Sequence, residues 1–234
     1  MAAKRSFLQR LFRGFLLLMG LALVIPPVQV ALTRKWNPSW SPMQIQRVFE
    51  SGTASTRTPT RWVPLSEIPR PLIHYIWASE DQKFFAHHGF DFVALRKAIV
   101  TANTTGKEAR GSSTITMQCA RSVFLWQGRS WPRKILEAYY TLWMEILLSK
   151  QRILELYLNH IEFGPGLYGV GAAAESHFGK HLGSLTRRQM IALAAILPNP
   201  LEWSPAQPNA TVQKKIRRIE GLSSRARFPE DELQ

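Results

Sequence analysis

Apolar positions along most of this chain recur at intervals of three and four, and one stretch departs from that rhythm. Gly14 to Leu32 is a charge-free, mostly apolar run, GFLLLMGLALVIPPVQVAL. As a helix it would reach ~28 Å, comparable to the hydrocarbon core of a bilayer. Lys4, Arg5, Arg10 and Arg13 precede it, Arg34 and Lys35 follow, and no acid precedes Glu50. That asymmetry predicts residues 1–13 as a cytoplasmic tail, 14–32 as a single transmembrane anchor, and the remainder exported. The alternative is a cleavable signal peptide whose apolar region ends at Pro26 and Pro27. Val28-Gln29-Val30-Ala31 is a poor small-x-small cleavage site, which favours a retained anchor.

Residues 33–64 form a membrane-proximal segment rich in Pro, Ser and Thr, with one amphipathic piece at Met43–Glu50. From Leu65 to the end the periodicity predicts one helical domain, 65–234. The expected helices are Pro71–Ser79, Phe92–Thr104, Ser113–Leu125, Pro132–Leu148, Lys150–His160, Val170–Phe178, Leu185–Leu197 and Thr211–Leu222. Asp91 has the character of an N-cap and Pro132 that of a first-turn residue. Alternating β-branched runs are scarce, so no substantial sheet is expected. Lys107–Gly111 is polar and Gly-bounded, a candidate mobile loop.

Charge narrows the partners. The 234 residues carry a formal net charge of +14, and 45% of them are hydrophobic, ample for a packed core. Such a basic surface suits a polyanion, an anionic membrane or a phosphate-bearing substrate. No zinc spacing or RNA-binding signature is present, and the export signal points away from nucleic acid as a partner. The single Cys119 excludes an internal disulfide.

Three polar clusters carry candidate chemistry. Glu80-Asp81 ends the apolar run Leu72–Trp77 and is followed by Phe84, Phe85, His87 and His88. A carboxylate there is either an acid–base group with a pKa raised by desolvation or an ordinary solvated helix end. Gly111-Ser112-Ser113-Thr114 opens a helix whose free amides and hydroxyls make either an anion site or a plain cap. Thr114, Gln118 and Arg121 then share one face, while Ile115, Cys119 and Val123 share another, expected to pack inward. On the next helix Arg133, Glu137 and Glu145 fall opposite Ile135, Tyr139, Leu142, Trp143 and Ile146. Spacing alone makes the charged stripe a solvated face bearing an i,i+4 ion pair, worth only ~0.3–0.5 kcal/mol.

Together these segments resemble glycosyltransferase family 51, the peptidoglycan polymerases that build glycan strands from lipid II. The family's E-D-x-x-F-x-x-H-x-G stands as Glu80 to Gly89, its G-x-S-T-x-x-x-Q as Gly111 to Gln118, and its R-K-x-x-E as Arg133 to Glu137. Lys150–Asn159 is similar to K-x-x-I-L-E-x-Y-L-N. Gly169–Ala174 with Phe178-Gly179, and Leu197–Pro200, look like the remaining motifs. Phe124–Trp131 resembles the linker of the monofunctional, membrane-anchored members. No S-x-x-K followed by S-x-N and K-T-G is present, so glycan polymerisation without peptide crosslinking is expected. Ser122 stands where the family usually has Asn, and His177 where it usually has Tyr.

The resemblance implies a mostly α, lysozyme-like catalytic domain with a small membrane-proximal subdomain that includes Phe92–Gly111. It implies catalytic roles for Glu80, as general base, and Glu137, as the second glutamate orienting the donor. Arg121, Arg133 and Lys134 would neutralise the donor pyrophosphate, with Ser113, Thr114 and Gln118 as hydrogen-bonding groups and Asp81 among the substrate-binding residues. A divalent cation, Mg2+ or Mn2+, is a possible companion of Glu137, with no tightly bound cofactor. Expected partners are lipid II, the growing glycan, the membrane, and cell-wall elongation or division proteins. The expected setting is the bacterial inner membrane, with the catalytic domain in the periplasm.

Overall fold

The computed structural model describes residues 2–51, 61–106, 113–128 and 130–233. The proposed mobile loop Lys107–Gly111, together with Ser112, lies outside them. Helix α1 (Ala2–Thr33) is followed by the short α2 (Pro42–Ser51), then α3 (Arg70–Glu80), α4 (Phe92–Thr105), α5 (Ile115–Phe124), α6 (Trp131–Leu147) and α7 (Lys150–His160). A two-stranded antiparallel hairpin, β1 (Glu162–Gly164) and β2 (Leu167–Tyr168), leads into α8 (Val170–Phe178), α9 (Arg187–Ile196) and α10 (Ala210–Ser223). The protein is mostly α, and the expected helices begin and end within two residues of the observed ones.

Local chemistry explains those ends. Asp91, Thr114, Ser130, Ser149 and Asn209 each accept a hydrogen bond from an amide in the first turn of the helix they precede. Thr186 and Gln189 complete a reciprocal capping box on α9. The core is built around α5, α7 and α9: Ile115, Cys119, Ile153, Leu154, Tyr157, Leu158, Ile191 and Leu193 are fully buried. Cys119 is thus a small core residue, and burial pushes its thiol far above the ordinary range.

Helix α1 continues through Pro26 and Pro27 instead of ending there. A proline at position 27 has no N–H to give the carbonyl of Leu23. The Tyr139 hydroxyl of α6 donates to that carbonyl at 2.8 Å, so the freed acceptor becomes a joint between anchor and domain. Tyr140 also donates to Gln29, and Arg152 of α7 donates to the carbonyl of Thr33 at 2.8 Å, capping the end of α1. An 18-residue window within Phe12–Thr33 has a mean hydropathy of 2.3.

Helix α6 overturns the expectation of a solvated charged stripe. Arg133 is buried, Glu137 is fully buried, and Thr141 joins them on the inner face. The apolar face points outward instead: Ile135 is 67% exposed, Leu142 47% and Ile146 59%. The rule that the apolar face turns inward presumes water outside. Here the outer face lies beside α1, the one apolar span among the described residues.

Candidate active site

The site begins where α3 stops. Glu80 is the last residue of α3, and the Gln118 amide on α5 donates to its Oε2 at 3.0 Å. The Ser79 hydroxyl reaches Oε1 at 3.2 Å. Burial raises the Glu80 pKa above its ordinary value of 4.5, and the bonds from Gln118 and Ser79, with the more distant charges of Lys215 and Arg121, only partly offset this. The result is a carboxylate that accepts a proton more readily than a solvated one. No cation is bonded to it among the described residues.

Asp81, the next residue, holds the cleft's walls together. Its carboxylate accepts from the His87 ring at 2.9 Å and from the first amide of α5, Ile115 N–H, at 3.0 Å. Thr114 donates to the carbonyl of Gly89 at 2.6 Å. Gly89 has φ +85°, and a Cβ there would stand 2.8 Å from Thr141 Cγ2 of α6. The loop after Glu80 can therefore close on α6 only with glycine at this position. Lys150 ties the same corner together, donating to the His87 carbonyl at 2.7 Å and to Glu145 at 2.8 Å.

Beside Glu80 opens a cavity of about 250 Å³, lined by Glu80, Asp81, Lys83, Asp91, Ser113, Thr114 and Arg218. The second glutamate has a different setting. Arg133 Nη1 donates to Glu137 Oε2 at 2.8 Å, and Lys134 Nζ donates to Oε1. Lys134 remains 41% exposed while Glu137 is fully buried, so the cluster offers one accessible cation above a neutralising acid. Among the described residues no hydrogen bond or ion pair joins the Glu80 group to the Glu137 group. They are linked through the packing of α5 on α6.

A sequence profile of the transglycosylase family matches residues 46–222. The chain belongs to that family. It is similar to proteins named biosynthetic peptidoglycan transglycosylase, among them the following. That of Caulobacter vibrioides is 44% identical over 214 residues, covering 91% of this chain and 91% of the relative. That of Stutzerimonas stutzeri is 43% identical over 214 residues, covering 90% and 86%. That of Pseudomonas aeruginosa is 41% identical over 222 residues, covering 90% and 90%.

Membership of the transglycosylase family places the mostly α domain with that family's lysozyme-like fold. It also sorts the motif residues by what they touch. Glu155 and Asn159 brace the strand-like approach to the domain: Glu155 accepts from Leu65 N–H at 3.2 Å, and Asn159 accepts from Val63 N–H at 2.8 Å. Gly169, at φ +84°, lies where a Cβ would meet the Asn159 carbonyl at 2.7 Å. Of the two departures from the common pattern, Ser122 is buried on α5 and His177 bonds the Phe163 carbonyl at 2.8 Å.

Two cations of α10 escaped the sequence reading. Arg218 lines the cavity and Lys215 acts on Glu80 through space, both from α10. The run Lys214-Lys215-Ile216-Arg217-Arg218 carries no spacing that separates these two from a solvated basic face. Glu137 does not fit a divalent cation as it stands, because its two oxygens are held by Arg133 and Lys134. No group of three or more metal-ligating side chains occurs among the described residues.

Proposed function

We propose that this transglycosylase polymerises lipid II into β-1,4-linked glycan strands, with Glu80 as the general base. The acceptor sugar's 4-hydroxyl gives its proton to the Glu80 carboxylate as its oxygen attacks the donor's anomeric carbon. The bond from that carbon to the pyrophosphate oxygen breaks, the configuration inverts, and undecaprenyl pyrophosphate leaves. Arg121 and Lys134 neutralise the departing charge, with the buried Arg133 adding its field from behind Lys134 and Ser113 at the α5 N-terminus as a further donor; the Thr114 hydroxyl is already given to the Gly89 carbonyl and holds the loop in place. Glu137 holds Arg133 and Lys134 at fixed positions. A divalent cation, Mg2+ or Mn2+, would travel with the substrate's pyrophosphate, and no step here passes through one.

The observation that carries this reading is the surroundings of Glu80: a carboxylate with a raised pKa, bonded by neutral donors, opening onto a cavity bordered by Lys83 and Arg218. An enzyme that cleaves finished glycan needs the glutamate but not the pyrophosphate-binding cations.

The placement of α1 supports a membrane setting. Leu23 lies ten residues before the end of the span at Thr33, or ~15 Å along a helix. Since Tyr139 bonds Leu23, an upright α1 carries α6 with it into the outer half of the bilayer. The exposed Ile135, Leu142 and Ile146 then meet lipid rather than water. In this arrangement the anchor is retained, the domain faces the periplasm, and lipid-bound donor and acceptor reach the cleft without leaving the membrane.

The test is labelled lipid II in one arm and preformed glycan strands in the other, each incubated with the full-length protein in vesicles. Polymer in the first arm and intact strands in the second are expected. Cleavage of the strands with lipid II left untouched would replace this reading with a hydrolase.

A further inference from the structure

Tyr157 lies within the Lys150–Asn159 segment but does something its neighbours do not. Glu155 and Asn159 brace the backbone before α3, whereas the Tyr157 side chain points from α7 toward α5. It is fully buried, and its hydroxyl donates to Gln118 Oε1 at 3.1 Å. The other end of that amide, Nε2, donates to Glu80 Oε2 at 3.0 Å.

We infer that Tyr157 is a positioning residue for the reaction, holding the Gln118 amide in the orientation that presents its N–H to Glu80. This rests on the reading of Glu80 as the general base. An ionised carboxylate can only accept, so the amide nitrogen must face it. That turns Oε1 toward the protein interior, where Tyr157 is its only hydrogen-bond donor among the described residues. Without the phenol, Oε1 is a buried acceptor with no partner, and the orientation that serves Glu80 loses its support. A flipped amide would set oxygen against oxygen and repel the base in the state in which it must act. Burial, and secondarily the nearby Glu80 charge, push the Tyr157 hydroxyl well above its ordinary range. It therefore stays protonated and able to donate while Glu80 titrates.

The experiment is the pH–rate profile of lipid II polymerisation by full-length Tyr157→Phe, which removes one oxygen and leaves the ring in place. At the plateau kcat falls about tenfold, the loss of ~1.4 kcal/mol of transition-state stabilisation, while KM stays within about twofold. The acid limb moves to higher pH, because the bond from Gln118 favours the ionised form of Glu80. In a Gln118→Ala background, Tyr157→Phe adds less than about a twofold further loss, since the phenol acts through the amide.

A merely structural tyrosine would lower the unfolding temperature and leave the acid limb in place. An unmoved limb with wild-type kcat, or full additivity in the double variant, overturns the inference. Activity in Glu80→Gln equal to wild type would instead overturn the base assignment beneath it. An inactive Glu80→Gln beside a Tyr157→Phe indistinguishable from wild type would remove the relay alone.

Discussion

The two motif glutamates, Glu80 and Glu137, have opposite surroundings. Glu80 ends a helix, opens onto a cavity and is bonded by the neutral side chains of Gln118 and Ser79. Glu137 lies mid-helix, fully buried, with a cation on each oxygen. The first arrangement leaves a carboxylate whose proton affinity is raised by burial and which has free space beside it. The second fixes two cations in place and has no room for proton traffic. On the proposed mechanism the same residue type would serve as a base in one setting and a clamp in the other, decided by neighbours rather than by side-chain chemistry.

That contrast breaks most readily through stability. Glu137→Ala strands Arg133 in the interior and should cost roughly 3–5 kcal/mol, read as a large fall in unfolding temperature. Lys134→Met leaves the buried Glu137 Oε1 without its partner and should cost ~1–3 kcal/mol, less than Glu137→Ala, while acting on catalysis as well. Loss of a charge-assisted bond to pyrophosphate lowers kcat/KM by about 10- to 100-fold in steady-state assays.

Glu80 behaves differently with pH. Its folded-state pKa is raised above the ordinary 4.5, so its contribution to stability is present below that value and is lost as pH rises through the raised value. Glu80→Gln should therefore unfold at a higher temperature than wild type at pH 7, and the advantage should vanish below pH 4.5 in a thermal-melt series. Smallest of all is Cys119→Ala on α5. With the thiol buried in the core, the change should cost ~1 kcal/mol and leave polymerisation within about twofold.

Helix α6 shows where a sequence stops being legible. Its spacing put Arg133, Glu137 and Glu145 on one face and Ile135, Leu142 and Ile146 on the other, and both groupings hold. What spacing cannot supply is which face turns inward. The apolar-in rule fails where α6 packs alongside α1, a helix long and apolar enough to span a membrane. Motif likeness, by contrast, pointed to Glu137 as a site residue without any knowledge of its burial. Helix limits were readable for a local reason: Asp91, Ser149, Thr186 and Asn209 cap the helices they precede. The cavity's far wall was not readable. Arg218 comes from α10, and only the packing of α10 on α3 and α9 carries it to Glu80.

The most direct test of the account is lipid II turnover by Glu80→Gln, measured beside wild type on protein whose unfolding temperature is recorded in the same preparation. The account predicts a loss of about 10²- to 10⁴-fold in rate, as expected for removal of a general base, with an unfolding temperature at pH 7 no lower than wild type. Retention of activity within tenfold of wild type, on protein shown to be folded, would contradict it.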